Sequence, residues 1–242
     1  MPPDDRALAE RLVRTAGAIA LELRGGAVEV KGDATDVVTA ADRRAEAVML
    51  ELLRAERPDD GVLGEEGAAV EGGGRRWLLD PVDGTLNYAT GLPAWCSAVA
   101  LVDADGALVS AVYDPVAGEL FSAARGAGPR SLGTAPPLGE ATVATFVDIR
   151  RRDPEITAGT AALLERIGAL RAAGCGSLEL AWVADGRLHG WVQADVEPWD
   201  WHPGALLVAE AGGATAVAGR WHVAAASPAL RDALLAVVAF TG

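Results

Sequence analysis

The 242-residue chain has only two cysteines and one lysine, and no long uninterrupted apolar run. Each shortage excludes something. Cys96 and Cys175 belong to no CxxC pair or Cys/His cluster. A disulfide scaffold or zinc module is therefore excluded, and a reduced, cytoplasmic protein is expected. The apolar stretches are broken by charge or glycine well short of the roughly 18 to 20 residues a spanning helix needs, so no membrane association is expected. The first ten residues show neither a basic start nor an apolar stretch, so no signal peptide is expected. Basic residues are few, 21 against 34 acidic, for a net charge of −13. That balance argues against nucleic acid as a partner. An anionic small molecule stays possible, because bound divalent cations reverse the local field. The single lysine, Lys31, draws attention to its own neighbourhood.

What is present is globular: half the residues are hydrophobic and 23% are charged. The length allows one extended domain or two tightly joined halves. Leu8, Leu12, Ala16, Ile19 and Leu23 share one face of an expected helix from about Asp4 to Leu23. A second fits Thr39 to Arg57. A short strand, Trp77-Leu78-Leu79, runs into Asp80-Pro81, and strands over about 96–102, 107–113 and 118–123 form an antiparallel meander. The Gly/Pro-rich stretch 128–139 is the expected boundary between halves at 1–135 and 136–242. Beyond it come a strand (142–147), a helix (about 157–170), a helix from near Ser177 and a strand at 187–193. A helix from Pro203 to Ala211 follows, and a last one opens at Ser227-Pro228. This mixture indicates an α+β layered fold rather than a Rossmann sheet.

Four groups of acids resist the default reading of solvated helix faces. In WLLDPVDGTLNY, Asp80 and Asp83 follow a buried-looking strand. Burying ionised carboxylates is costly unless a cation or hydrogen-bond donors compensate, and a hard divalent metal prefers oxygen ligands. The alternative is an Asp-Pro turn with an Asx cap on the next helix, which spacing alone does not separate. Glu65-Glu66 after Val62-Leu63 reads by itself as a solvated loop. Asp200, in Glu197-Pro198-Trp199-Asp200-Trp201, reads by itself as a helix cap with Pro203 in the first turn. Thr39 and Asp42 read by themselves as a capping box.

Together these clusters resemble the inositol monophosphatase family of lithium-sensitive, magnesium-dependent phosphatases. Its two signatures appear as WLLDPVDGTLNY and WDWHPGALLVAEAGG. Glu65-Glu66 stands at the family's upstream GEE, and Lys31, Asp36, Val38, Thr39 and Asp42 match a further segment. The resemblance implies a layered αβαβα sandwich, commonly a homodimer, with both halves forming one continuous catalytic unit. It implies two to three Mg²⁺ ions: Glu65, Asp80 and the Val82 carbonyl would hold one, and Asp80, Asp83 and Asp200 a second. Thr85, Asp42 and Glu65 would act in catalysis. Gly84, Thr85, Gln193 and Asp200 would contact the substrate, a small phosphorylated metabolite. Two-metal phosphoryl transfer needs positioning and charge neutralisation rather than a side-chain nucleophile.

Three positions depart from the family pattern. Leu86 replaces a common second threonine, Gln193 stands where inositol-hydrolysing members often carry a glutamate, and His202-Pro203 replaces a pair of small residues. They bear on the substrate and leave every metal ligand intact. myo-Inositol monophosphate is the first expectation. Histidinol phosphate, fructose 1,6-bisphosphate and 3′-phosphoadenosine phosphates are the alternatives within the chemistry. A non-catalytic metal-binding relative and a two-metal nuclease are the alternatives outside it.

Overall fold

The structure is a computed structural model describing residues 5–25, 28–30, 37–128, 132, 134–146 and 153–239, without the side chains of 28–30 and 37–38. Lys31, Asp36 and the side chain of Val38 lie outside that description, as do 129–131 and 133 of the expected boundary. The chain opens with α1 (Asp5–Leu23), whose buried face carries Leu8, Leu12, Ala16 and Ala20. The antiparallel pair β1 (Val28–Val30) and β2 (Val37–Thr39) leads into α2 (Ala40–Glu56). Then follow β3 (Gly61–Gly64), β4 (Ala69–Val70), β5 (Arg76–Asp83), the short α3 (Thr85–Thr90), β6 (Cys96–Asp103), β7 (Gly106–Asp114) and β8 (Glu119–Ala124). These strands make a six-stranded sheet in the order β4-β3-β5-β6-β7-β8.

A second sheet, in the order β10-β9-β11-β13-β12, gathers the rest. Its strands are β9 (Thr142–Thr145), β10 (Ala169–Arg171), β11 (Gly190–Ala194), β12 (Ala214–Ala218) and β13 (Trp221–Ala225). Its helices are α4 (Pro154–Leu164), α5 (Gly176–Ala184), α6 (Pro198–Glu210) and α7 (Pro228–Ala239). Strands β10, β9 and β11 run parallel.

Side-chain alternation along the strands builds the layers. Trp77 and Leu79 of β5 pair with Leu101 and Val99 of β6, and all four face Leu8, Leu12, Met49 and Leu53 of α1 and α2. Ala98 and Val112 face the other way, onto Leu178, Ala181, Leu206 and Leu207 of α5 and α6. Those two helices present their opposite sides, through Leu180, Val183, Ala205 and Val208, to Ala144, Trp191 and Ala224 of the second sheet. α4 and α7 cover its outer face through Leu163, Leu230, Leu234 and Val238. The result is an αβαβα sandwich. α5 and α6 approach closely because position 204 is glycine: a Cβ there would lie 2.3 Å from the Leu180 Cβ.

The structure corrects several expected boundaries. α4 stops at Leu164, and residues 169–171 form β10 instead of extending the helix to 170. The register of β10 on β9 is a non-local pairing, and Gly168 permits the backbone of Glu140 to lie within 2.9 Å of where its Cβ would be. α6 begins at Pro198 rather than Pro203, with Glu197 as its cap residue and Pro203 inside the helix. Asp200 is therefore no helix cap; it lies in the first turn. The hairpin β12–β13 and strands β3 and β4 had no sequence assignment.

Candidate active site

β5 is the strand that delivers the central acids. Trp77 to Leu79 are buried on both faces of the sheet, and the strand carries Asp80 and Asp83 into the interior between the two sheets. Pro81 lacks an amide hydrogen, and the pairing with β6 slips between Asp80 and Asp83. The slip takes Pro81 and Val82 out of the ladder, which resumes where Asp83 pairs with Cys96. Asp80 turns back to accept the Val82 amide at 3.1 Å. Asp83 accepts the Ser177 amide of α5 at 2.6 Å, so it serves that helix and not α3. The Asx cap on the following helix is thus not formed: Gly84, at φ +86°, occupies the position before α3 and gives no side-chain bond. A Cβ at 84 would also lie 3.0 Å from the Ala94 carbonyl and 3.2 Å from the Cys175 Cβ.

Asp200 reaches the same place from the first turn of α6. One carboxylate oxygen from each of Asp80, Asp83 and Asp200 lies within 4.8 Å of the other two. The Glu65 amide bonds the Leu79 carbonyl at 3.1 Å, which sets Glu65 beside the end of β5. Glu46, on the buried face of α2, holds that loop by accepting the amides of Glu66 and Ala68, both at 2.9 Å. Thr39 and Asp42 do form the capping box of α2. Asp42 also does more: its Oδ1 stands 3.3 Å from Thr85 Oγ1, which in turn lies 3.0 Å from the Val82 carbonyl. The capping and catalytic readings of Asp42 are compatible, because its two oxygens serve different partners.

A cavity of about 210 Å³ joins these groups. Glu65, Asp80, Val82, Asp83, Gly84, Thr85 and Asp200 line one side; Phe146, Gly174, Gly176 and Gln193 line the rest. Of the residues expected at the site, only Asp42 is absent from the lining, standing behind Thr85. Asp195, which follows Gln193 by two residues, is turned away and paired with Arg220. Phe146, Gly174 and Gly176 carried no sequence signal. Glu179 was also missed. It is fully buried behind the 173–176 loop, where it accepts the Ala173 amide at 2.5 Å and the Trp191 indole at 3.1 Å.

The electrostatics are those of an uncompensated acidic cluster. Burial, then the neighbouring carboxylates Glu65, Asp83 and Asp200, push the Asp80 carboxyl well above its usual range. Burial and the neighbouring Asp83 do the same to Asp200. Asp83 is raised by burial and partly relieved by the Ser177 amide. Asp42 is raised by burial against its Thr39 bonds. Burial lifts Glu179 to about 8. Among the described residues no arginine or lysine pairs with Asp80, Asp83 or Asp200. An all-oxygen donor set with excess negative charge and no cation among the described residues fits hard divalent ions.

The family model for the inositol monophosphatase family matches residues 4–235. The chain belongs to that family. Membership places it among the phosphoric monoester hydrolases that act on small phosphorylated substrates. It is 36% identical over 203 residues to an inositol-1-monophosphatase of Rhizobium meliloti, covering 79% of this chain and 76% of that one. It is 35% identical over 188 residues to the Nus factor SuhB of Escherichia coli, covering 74% and 70%. Among solved structures, the inositol monophosphatase of Thermotoga maritima superposes with a TM-score of 0.85 at 27% identity, covering 100% of this chain and 98% of that one. No helix among the described residues is long and apolar enough to cross a membrane.

Proposed function

We propose that this inositol monophosphatase-family member is a Mg²⁺-dependent phosphomonoesterase of the cytoplasm, acting on a small polyol or sugar phosphate, with myo-inositol monophosphate the first candidate. The observation that carries this reading is the cluster of Asp80, Asp83 and Asp200, two of them buried and none paired with a described arginine or lysine, which shares a cavity with Thr85. Glu65, Asp80 and the Val82 carbonyl are assigned to one Mg²⁺, Asp80, Asp83 and Asp200 to a second, and Glu65 to a third, loosely held ion. Metal held by these residues would acidify a bound water and neutralise charge on the attacking and leaving oxygens.

The chain's own groups position the reactants. Thr85 has one hydroxyl proton and two acceptors in reach, Asp42 Oδ1 and the Val82 carbonyl. When it donates to Asp42, its lone pairs face the cavity and hold the attacking water in line with phosphorus. Asp42, made more basic by burial, receives the proton passed through the hydroxyl. The Gly84 and Thr85 amides receive phosphate oxygens. The water oxygen bonds to phosphorus as the phosphorus–alcohol oxygen bond breaks, and the departing alkoxide takes a proton from a second, solvent water. Ligands from both halves of the chain support a single catalytic unit, and the family resemblance supports a homodimer, which sedimentation velocity checks.

Release of phosphate from p-nitrophenyl phosphate and inositol 1-phosphate, with Mg²⁺ and with chelator, tests the assignment. Hydrolysis that appears with Mg²⁺ and disappears with chelator is expected. Folded protein that releases no phosphate from either, or does so equally well without metal, overturns it.

A further inference from the structure

On the phosphatase reading, cations held by the acids and the Gly84 and Thr85 amides would bind the phosphoryl group on one side of the cavity, so the alcohol it is esterified to would occupy the other side. That side has an unusual composition. Gln193 is neutral, Gly174 and Gly176 have no side chains, and the remaining residue is the aromatic Phe146, whose surface is 46% exposed. The strand register explains why the ring is there. Thr145, the last residue of β9, pairs with Val192 of the parallel strand β11, so Phe146 and Gln193 are the next residues beyond that rung. One pair earlier, Ala144 and Trp191 face the core formed with α5 and α6. Alternation brings Phe146 and Gln193 back to that same face two residues later, past the edge of the core and over the cavity. Both therefore stand side by side at the carboxyl ends of parallel strands, the place where open sheets receive ligands.

Gly176 opposite keeps a slot open, whereas Gly174 is fixed as glycine by its φ of +78°. A Cβ on Gly176 would meet Trp191 at 3.6 Å and Gln193 at 4.0 Å, which are ordinary contacts, so packing does not forbid a side chain there. The space is left clear beside an aromatic ring that the described residues leave about half exposed. We propose that Phe146 is a specificity-determining residue, its ring being the platform on which the alcohol part of the substrate stacks. The substrate class is then the phosphate monoester of a cyclic alcohol, whose ring offers a flat C–H or π face, in preference to an acyclic one. The inference rests on the phosphatase reading of the cavity and narrows its substrate.

Isothermal titration of the Mg²⁺-loaded protein with methylphosphonate and phenylphosphonate separates the two layers, because neither ligand is hydrolysed. Wild type binds phenylphosphonate about tenfold more tightly than methylphosphonate, since stacking and ring burial are added to the same phosphonate contacts. In Phe146→Ala that ratio falls to about one, and in Phe146→Trp it returns; the ring's exposure makes the truncation safe for folding. In turnover assays, Phe146→Ala raises KM more for phenyl phosphate than for glycerol 2-phosphate. Equal affinity of wild type for the two phosphonates overturns the Phe146 assignment alone. So does a ratio that survives Phe146→Ala. Failure of wild type to bind either phosphonate overturns the phosphate site and, with it, the platform.

Discussion

The two ends of β5 each hold buried carboxylates, and they are finished differently. Just before the strand, Arg75 Nη2 reaches Asp60 at 2.8 Å and Arg75 Nη1 reaches Asp5 at 2.9 Å, while Arg57 adds a second guanidinium to Asp5 at 2.7 Å. Trp77 donates its indole to the same Asp60. At the far end, Asp80, Asp83 and Asp200 crowd together with amide donors but no cation from the described chain. Both clusters are expensive to bury. The first is complete as protein and fastens α1 to the sheet; the second has no compensating cation among the described residues, which is the feature the proposed Mg²⁺ site rests on. Burial of acids by itself therefore does not single out a site; the two clusters differ in whether a described cation accompanies them.

The largest expected effect breaks the second cluster. Asp83→Asn keeps the shape and removes one charge, and kcat with Mg²⁺ should fall by more than about a hundredfold. Thermal unfolding of the metal-free variant should show no loss of stability, because one repelling carboxylate has gone. Near wild-type turnover in Asp83→Asn would remove the cluster from the reaction.

Arg75→Met makes the converse change at the other end. It leaves Asp60 buried without its guanidinium, and stability should fall by about 3 kcal/mol in urea unfolding. Turnover per folded molecule should hold, since nothing at Asp60 touches the cavity. Loss of turnover without loss of stability would contradict the division between the two ends.

These two ends were not equally legible in the sequence. The Asp80–Asp83 end could be read because its residues are consecutive: a buried strand, proline, glycine and two acids carry their meaning locally. The capping box at Thr39 and Asp42 was readable for the same reason. The Arg75–Asp60–Asp5 cluster was not, because it joins residues up to 70 apart and each looks like an ordinary surface charge. Glu46 left one usable signal, a charge four residues after Asp42 on the apolar face of α2. Helix α4 was read too long because TAALLERIGAL keeps a helical apolar pattern past Leu164, while the stop is imposed by non-local pairing with β9. The β12–β13 hairpin was missed because its strands are alanine-rich and weak in intrinsic β preference. Phe146 acquires its place only when β9 lies beside β11.

The pH dependence of the metal-free protein sharpens the comparison further. Asp80, Asp83 and Asp200 titrate above their unfolded value of 3.8, and Glu179 rises from 4.5 to about 8. The folded state therefore holds protons that the unfolded chain has already released. Their contribution to stability is fully present below the unfolded values and is lost as pH rises through the raised ones. Without metal, Tm should drop by about 5 °C between roughly pH 5 and pH 8. Mg²⁺ should restore it most at the upper end, because cations and protons compete for the same oxygens. A flat Tm from pH 5 to pH 8 without metal would mean that these acids are not held in the unfavourable state described.

The smallest effect concerns the cavity wall away from the acids, where Gln193 and Asp195 lie two residues apart and play unlike parts. Asp195 sits at φ +53°, a region that Asp and Asn tolerate better than most residues, and Arg220 ties it down together with Asp153. Its carboxylate is thereby held at Arg220, and among the described residues none on that wall supplies the carboxylate that the family resemblance leads one to expect at 193. Glutamine offers one carbonyl acceptor and an amide donor, whereas a carboxylate accepts from two hydroxyls at once. A charge-assisted bond is worth about 1.5 to 3 kcal/mol. Part of that gain is opposed here, because a new carboxylate would face the acids already lining the cavity. Gln193→Glu should therefore improve kcat/KM for inositol 1-phosphate by about tenfold relative to p-nitrophenyl phosphate, which has no hydroxyls to offer. Because ring stacking on Phe146 is available to both substrates, it cancels in that ratio and leaves the hydroxyl contact exposed. A parallel change on both substrates would show that residue 193 senses only the phosphate and its metals, and the hydroxyl-binding role would then pass to another part of the wall.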